Sequence, residues 1–88
     1  MSDARWRVDY TPRARQEMRR LDPPIRARVI AAIEDLRDEP RQARGVRRLS
    51  GRPELRLRVG DWRAIFQLQP RDRVVLVLRV LPRGRSYR

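Results

Sequence analysis

The chain has 88 residues, 23 basic against 11 acidic side chains and a net charge of +12, with no Cys and no His. That length allows one small domain with a modest core. The two missing residue types exclude disulfides, soft or imidazole metal sites, Cys or His nucleophiles and imidazole acid–base chemistry. Residues 41–88 hold 14 Arg against 3 acids, net +11, whereas residues 1–40 hold 9 Arg against 8 acids, net +1. Such an asymmetry points to a polyanionic partner. Every basic residue is Arg, which a GC-rich coding bias accounts for, so each arginine has to be judged by its position.

Taken in chain order, the elements start with Trp6-Arg7-Val8-Asp9-Tyr10, whose alternation predicts a first strand. Thr11-Pro12 supplies an N-cap and a proline at the first helical position, and Ala14, Met18 and Leu21 then recur at helical spacing. Asp22-Pro23-Pro24 ends that helix and caps a second. From Ile25 the apolar positions Val29, Ile33 and Leu36, with Ala32 beside them, repeat every three or four residues until Glu39-Pro40. Residues 41–52 have no period and two glycines, so they read as a loop, anchored by Leu49. Three strands follow, Leu55–Val59, Arg63–Leu68 and Val74–Val80, separated by Gly60-Asp61 and Pro70-Arg71-Asp72, which predicts an antiparallel meander. The expected fold class is therefore α+β, in the order β-α-α-β-β-β. Two helices pack on one face of a small antiparallel sheet, and residues 1–88 form a single domain. Trp6, Trp62 and Phe66 are expected in the core.

Period-two alternation puts Leu55, Leu57 and Val59 on one side of their strand and Arg56 and Arg58 on the other. The short Gly60-Asp61 turn brings Arg63 back toward Arg58. Pairing of the last two strands carries the tail Pro82-Arg83-Gly84-Arg85-Ser86-Tyr87-Arg88 to the same end. Guanidinium forks grip phosphate oxygens in pairs of hydrogen bonds, and a tyrosine ring stacks on bases.

Leu49-Ser-Gly51, then Leu55-Arg-Leu-Arg-Val-Gly-Asp-Trp-Arg63-Ala-Ile-Phe, then Val74-Val-Leu-Val-Leu-Arg-Val, and finally Arg83-Gly-Arg-Ser-Tyr87-Arg resemble the RelE/ParE superfamily of bacterial toxins along the whole chain. The resemblance implies a toxin of a type II toxin–antitoxin pair. Its RelE-type branch cuts mRNA in the ribosomal A site and its ParE-type branch poisons DNA gyrase without nuclease chemistry. An inactive basic RNA-binding module is the third reading. The RelE type implies basic groups at Arg56 and Arg58, with Arg63, Arg83 and Tyr87 completing the set. Arg58, Arg63, Arg83 and Tyr87 are the candidate catalytic residues, and Arg48, Arg56, Arg58, Arg85 and Arg88 the candidate RNA-binding ones. The RelE pattern often has Lys where this chain has Arg, and arginine is a poor proton donor because it stays charged. With no metal or cofactor expected, the attacking group is the RNA 2′-OH, with Tyr87 as candidate base or positioning group. The expected partners are mRNA, the ribosome and an acidic, partly disordered antitoxin in a hetero-oligomer. No apolar run reaches membrane-spanning length and Met1–Trp6 lacks a signal-peptide core, so a cytoplasmic protein without a membrane is expected.

Overall fold

The structure is a computed structural model that describes residues 5–85 and Tyr87. The elements are β1 (Arg7–Tyr10), α1 (Pro12–Arg19), α2 (Pro23–Glu34), β2 (Val46–Arg48), β3 (Leu55–Val59), β4 (Trp62–Gln69) and β5 (Val74–Pro82), with a 3-10 turn, Asp35–Arg37, after α2. The strands form one sheet in the order β1-β5-β4-β3-β2.

Local chemistry explains the helical half. Thr11 caps α1: its Oγ1 accepts from the Ala14 amide at 3.1 Å and donates to the Leu78 carbonyl at 3.0 Å, so one hydroxyl ties the helix start to β5. Asp22 stands at the N-cap of α2 without a side-chain cap bond, and Pro23 supplies the preset φ of a first helical residue. The turn between the helices is held instead by Arg26, which donates to the carbonyls of Met18, Arg19 and Leu21. Leu36 lies in the 3-10 turn and is fully buried. Ala14, Met18, Leu21, Val29, Ile33 and Leu36 pack against Leu55, Leu57, Ala64, Phe66, Val75, Val77 and Val80, so both helices cover the same face of the sheet. The α+β architecture with two helices on one face therefore stands as expected.

Two features differ from the sequence expectation. The sheet is mixed: β3, β4 and β5 form the antiparallel meander, but β1 runs parallel to β5, with Arg7 opposite Val74 and Tyr10 opposite Val77. Two intervening helices return the chain to the start of the sheet, which permits a parallel neighbour that a tight hairpin forbids. The loop 41–52 also contains a strand, β2, antiparallel to β3. Gly45 makes it possible: its φ is 84°, its carbonyl accepts from the Arg58 amide at 3.0 Å, and a Cβ there would sit 3.0 Å from the Arg58 carbonyl oxygen. Leu49 is only half-buried, and Ala43 and Val46 are the loop residues that pack on the core. Of the aromatic residues, Trp6 and Phe66 are buried and Trp62 is half-buried against the core.

A polar clamp joins helix to sheet. Glu17 of α1 accepts from Arg79 through both carboxylate oxygens, the shortest contact being 2.9 Å, and its Oε1 also accepts from the Val80 amide at 2.8 Å. The side chains are 12% and 18% exposed for Arg79 and Glu17, so removing the carboxylate strands a shielded guanidinium and a backbone N–H. Glu17→Ala is therefore expected to destabilise the fold by about 2–3 kcal/mol, read as a lowered midpoint in chemical denaturation. Near the same helix the Tyr10 phenol is pushed above its ordinary value by burial, with the Glu34 carboxylate adding to the effect.

Candidate anion-binding site

The face of the sheet turned away from the helices carries the charge. In the β2–β3–β4 register Arg47 lies opposite Arg56, and Arg58 opposite Arg63. Two like-charged pairs placed directly across strands cost stability. Their direct neighbours on the next strand are apolar and buried: Ile65 stands opposite Arg56 and Leu81 opposite Arg63, each 1% exposed. The arginine stems thus lie over an apolar floor.

Turn geometry completes the group. Gly60-Asp61 is a two-residue hairpin turn with Gly60 at φ 58°, and it sets Arg63 beside Arg58. At the far end of β5, Pro82 pairs with Trp62, and the Arg83 amide donates to the Asp61 carbonyl at 2.7 Å. This fixes Arg83 over the same turn. Arg56, Arg58, Gly60, Arg63, Arg83 and Gly84 line one cavity of about 360 Å³. Arg63 reaches across it and donates to the Arg85 carbonyl, so Arg85 takes part through its backbone.

The electrostatics are one-sided. Arg83 has a loose ion pair with Asp61, 4.0 Å apart on exposed side chains, which is worth little in solvent. Arg56, Arg58, Arg63 and Arg85 have no carboxylate within ion-pair distance among the described residues. The Nε atoms of Arg56 and Arg63 are buried without a hydrogen-bond partner. Four guanidinium groups line one cavity, and among the described residues only Arg83 has an acid in range, the exposed Asp61; such an arrangement can hold an anion whose oxygens share negative charge.

The other sequence candidates fall elsewhere. Arg48 stands opposite Leu55, on the helix side of the sheet, and lines a separate hollow with Arg41, Pro53 and Gln67. Its neighbour Arg47, opposite Arg56, is the β2 arginine on the charged face, because β2 fixes the alternation. Tyr87 does not line the arginine cavity. Its hydroxyl donates to Glu54 Oε1 at 3.4 Å, and the Arg52 guanidinium stacks over its ring at 5.2 Å. Arg88 lies outside the described residues. No group of three or more acidic or metal-ligating side chains comes together among the described residues, and no helix of the described chain is long and apolar enough to cross a membrane.

Sheet order, helix placement and the basic face define the class to which the chain is to be compared. A family model described as the ParE toxin of type II toxin–antitoxin systems, parDE, matches residues 8–87, and the chain belongs to this toxin family. Among solved structures it is similar to the toxin–antitoxin complex RelBE2 from Mycobacterium tuberculosis, with 29% identity, a TM-score of 0.76 and coverage of 90% of this chain and 99% of that one. It is similar also to the archaeal RelE–RelB complex from Pyrococcus horikoshii, at 28% identity and a TM-score of 0.77, covering 92% and 98%. The isolated RelE toxin of E. coli is 26% identical with a TM-score of 0.74, covering 92% and 87%. A search of curated proteins returns no match.

Proposed function

We propose that this toxin is a metal-independent endoribonuclease that cuts mRNA on the ribosome, and that an acidic antitoxin holds it inactive. The observation that carries the reading is the single cavity lined by Arg56, Arg58, Arg63 and Arg83. Arginine cannot serve as nucleophile or base, so the reaction such a site promotes is one in which the substrate attacks itself. RNA does this through its 2′-OH. The 2′-oxygen bonds to the adjacent phosphorus, the bond from phosphorus to the 5′-oxygen breaks, and the products are a 2′,3′-cyclic phosphate and a 5′-OH. Charge grows on the phosphoryl oxygens as the bonds exchange, where the guanidinium groups stabilise it. The ribosome supplies the alignment of the 2′-oxygen with phosphorus that a small, open site lacks.

The antitoxin follows from the same charge. The M. tuberculosis, P. horikoshii and E. coli relatives are seen in toxin–antitoxin complexes, and a chain of net charge +12 favours an acidic partner that covers the arginine face.

The test is 5′-end mapping of cellular mRNA after brief induction of the wild type and of Arg83→Ala, which removes one guanidinium from the cavity. Codon-phased 5′ ends are expected with the wild type and a loss of about 100-fold in their yield with the variant. Intact message together with double-strand DNA breaks would assign the chain to gyrase instead, and growth without either would leave it a binding module.

A further inference from the structure

We propose that Arg47 and Arg56 form a second phosphate subsite beside the arginine cavity, which takes a neighbouring phosphate of a single RNA strand; the nature of the strand rests on the nuclease reading above. The observation behind it is the register of β2. Val46 stands opposite Leu57 and Arg48 opposite Leu55, on the helix side of the sheet, so Arg47, opposite Arg56, turns to the charged face. Directly opposed side chains of an antiparallel pair have Cβ atoms about 4.5–5.5 Å apart. Arg56 also lines the cavity with Arg58, Arg63 and Arg83, whereas Arg47 lies outside it. Arg56 is therefore shared between the cavity and the pair it makes with Arg47.

The backbone holds Arg47 in this place. The strand β2 is three residues long, and its alternation is fixed at one end, where the Gly45 carbonyl accepts from the Arg58 amide at 3.0 Å and Val46 packs on the core. No side-chain partner is needed, and the Arg47 side chain is exposed. Nor does an acid neutralise the pair. Residues 41–88 contain three acids: Glu54 accepts from the Tyr87 hydroxyl, Asp61 lies 4.0 Å from Arg83, and Asp72 sits in the turn between β4 and β5. Among the described residues none of the three is within ion-pair distance of Arg47 or Arg56.

Two guanidinium groups facing each other across strands repel. An oxyanion between them offsets that repulsion and accepts hydrogen bonds from both. Distance decides what kind of anion gains from the arrangement. Arg47 and Arg63 are two strands and two residues apart, about 12 Å between Cα atoms at ordinary sheet spacings. A lone anion seated in the cavity has no use for Arg47. A strand with a charge on every nucleotide does, because it presents a second phosphate while the first is held.

The experiment measures binding of a short labelled single-stranded RNA by fluorescence anisotropy across about 50–200 mM salt. Each phosphate contact on a single strand adds about −0.7 to the slope of log affinity against log salt. Arg47→Ala is therefore expected to flatten the slope by about 0.7 and to weaken binding about fivefold at about 0.1 M salt. Its melting midpoint is expected to be no lower than that of the wild type, since a repulsion is removed. Arg47→Lys keeps the charge and is expected to keep the slope. Arg15→Ala removes the same charge from α1, on the opposite side of the sheet, and is expected to leave the slope unchanged. An unaltered slope in Arg47→Ala overturns the subsite. An equal change in Arg15→Ala overturns it too, because total charge and not this face then governs binding. Duplex DNA bound more tightly than the RNA strand overturns the choice of ligand. A wild type that shows the expected slopes but leaves message uncut keeps the subsite and removes the nuclease reading.

Discussion

Arg63→Ala is expected to lower the cleavage rate on ribosomes by about 1,000-fold while leaving the thermal midpoint no lower than that of the wild type. Arg63 is half-buried and lines the cavity. Its charge is one of the four that line the cavity, and its guanidinium donates to the Arg85 carbonyl. Losing one well-placed donor to a developing oxyanion typically costs about 100- to 1,000-fold, and a displaced tail adds to that. Stability moves the other way. Arg63 faces Arg58 across the strands, so its removal relieves a like-charge repulsion. Arg63→Lys restores the charge but not the paired hydrogen bonds, and is expected to recover only part of the rate. Single-turnover kinetics beside a melting curve check both halves, and a variant that unfolds, or one that cleaves like wild type, sinks the argument.

Phe66→Ala is expected to cost about 3–5 kcal/mol, enough to leave the isolated domain largely unfolded. Phe66 is the largest of the fully buried side chains, at 0% exposed, and stands at the irregularity in β4 where the register with β5 shifts. Its ring fills the layer between sheet and helices, in a domain with no disulfide to offset the loss. Phe66→Leu keeps most of the volume and is expected to cost less than about 1.5 kcal/mol. Urea denaturation followed by near-ultraviolet circular dichroism separates the two variants. Binding of an antitoxin to the folded form is expected to rescue Phe66→Ala in part, because a partner that recognises only the folded state shifts the equilibrium by mass action.

Much of this fold is legible in the chain because the signals are local. Thr11-Pro12 marks a helix start in its own chemistry, and Gly60-Asp61 marks a hairpin in its own backbone. The alternation from Leu55 to Val59 separates core from charge without reference to anything distant. What escaped is set by pairing. Val46-Arg47-Arg48 is too short to show a period, and only its hydrogen bonding to β3 decides that Arg47, not Arg48, joins the charged face. No pattern in Trp6–Tyr10 names β5 as its parallel neighbour. Glu54 was invisible for a different reason. Among three acids scattered through the basic half it looks like any surface carboxylate, and its hydrogen-bond partner, Tyr87, lies 33 residues away.

The parallel pairing of β1 with β5 also governs how the molecule comes into being. Thr11 and Leu78, 67 positions apart, are joined through a side-chain hydrogen bond beside that pairing, and β5 is flanked by β1 on one side and β4 on the other. The earliest strand therefore has no neighbour until residues 74–82 are available, and the loop to be closed spans most of the domain. Assembly dominated by such distant contacts is slow compared with local helix formation. Because Arg83 follows β5 directly, the arginine cavity is completed only with the sheet itself. A chain whose last strand has not yet paired therefore lacks the assembled cavity, so the candidate site forms only as the fold does.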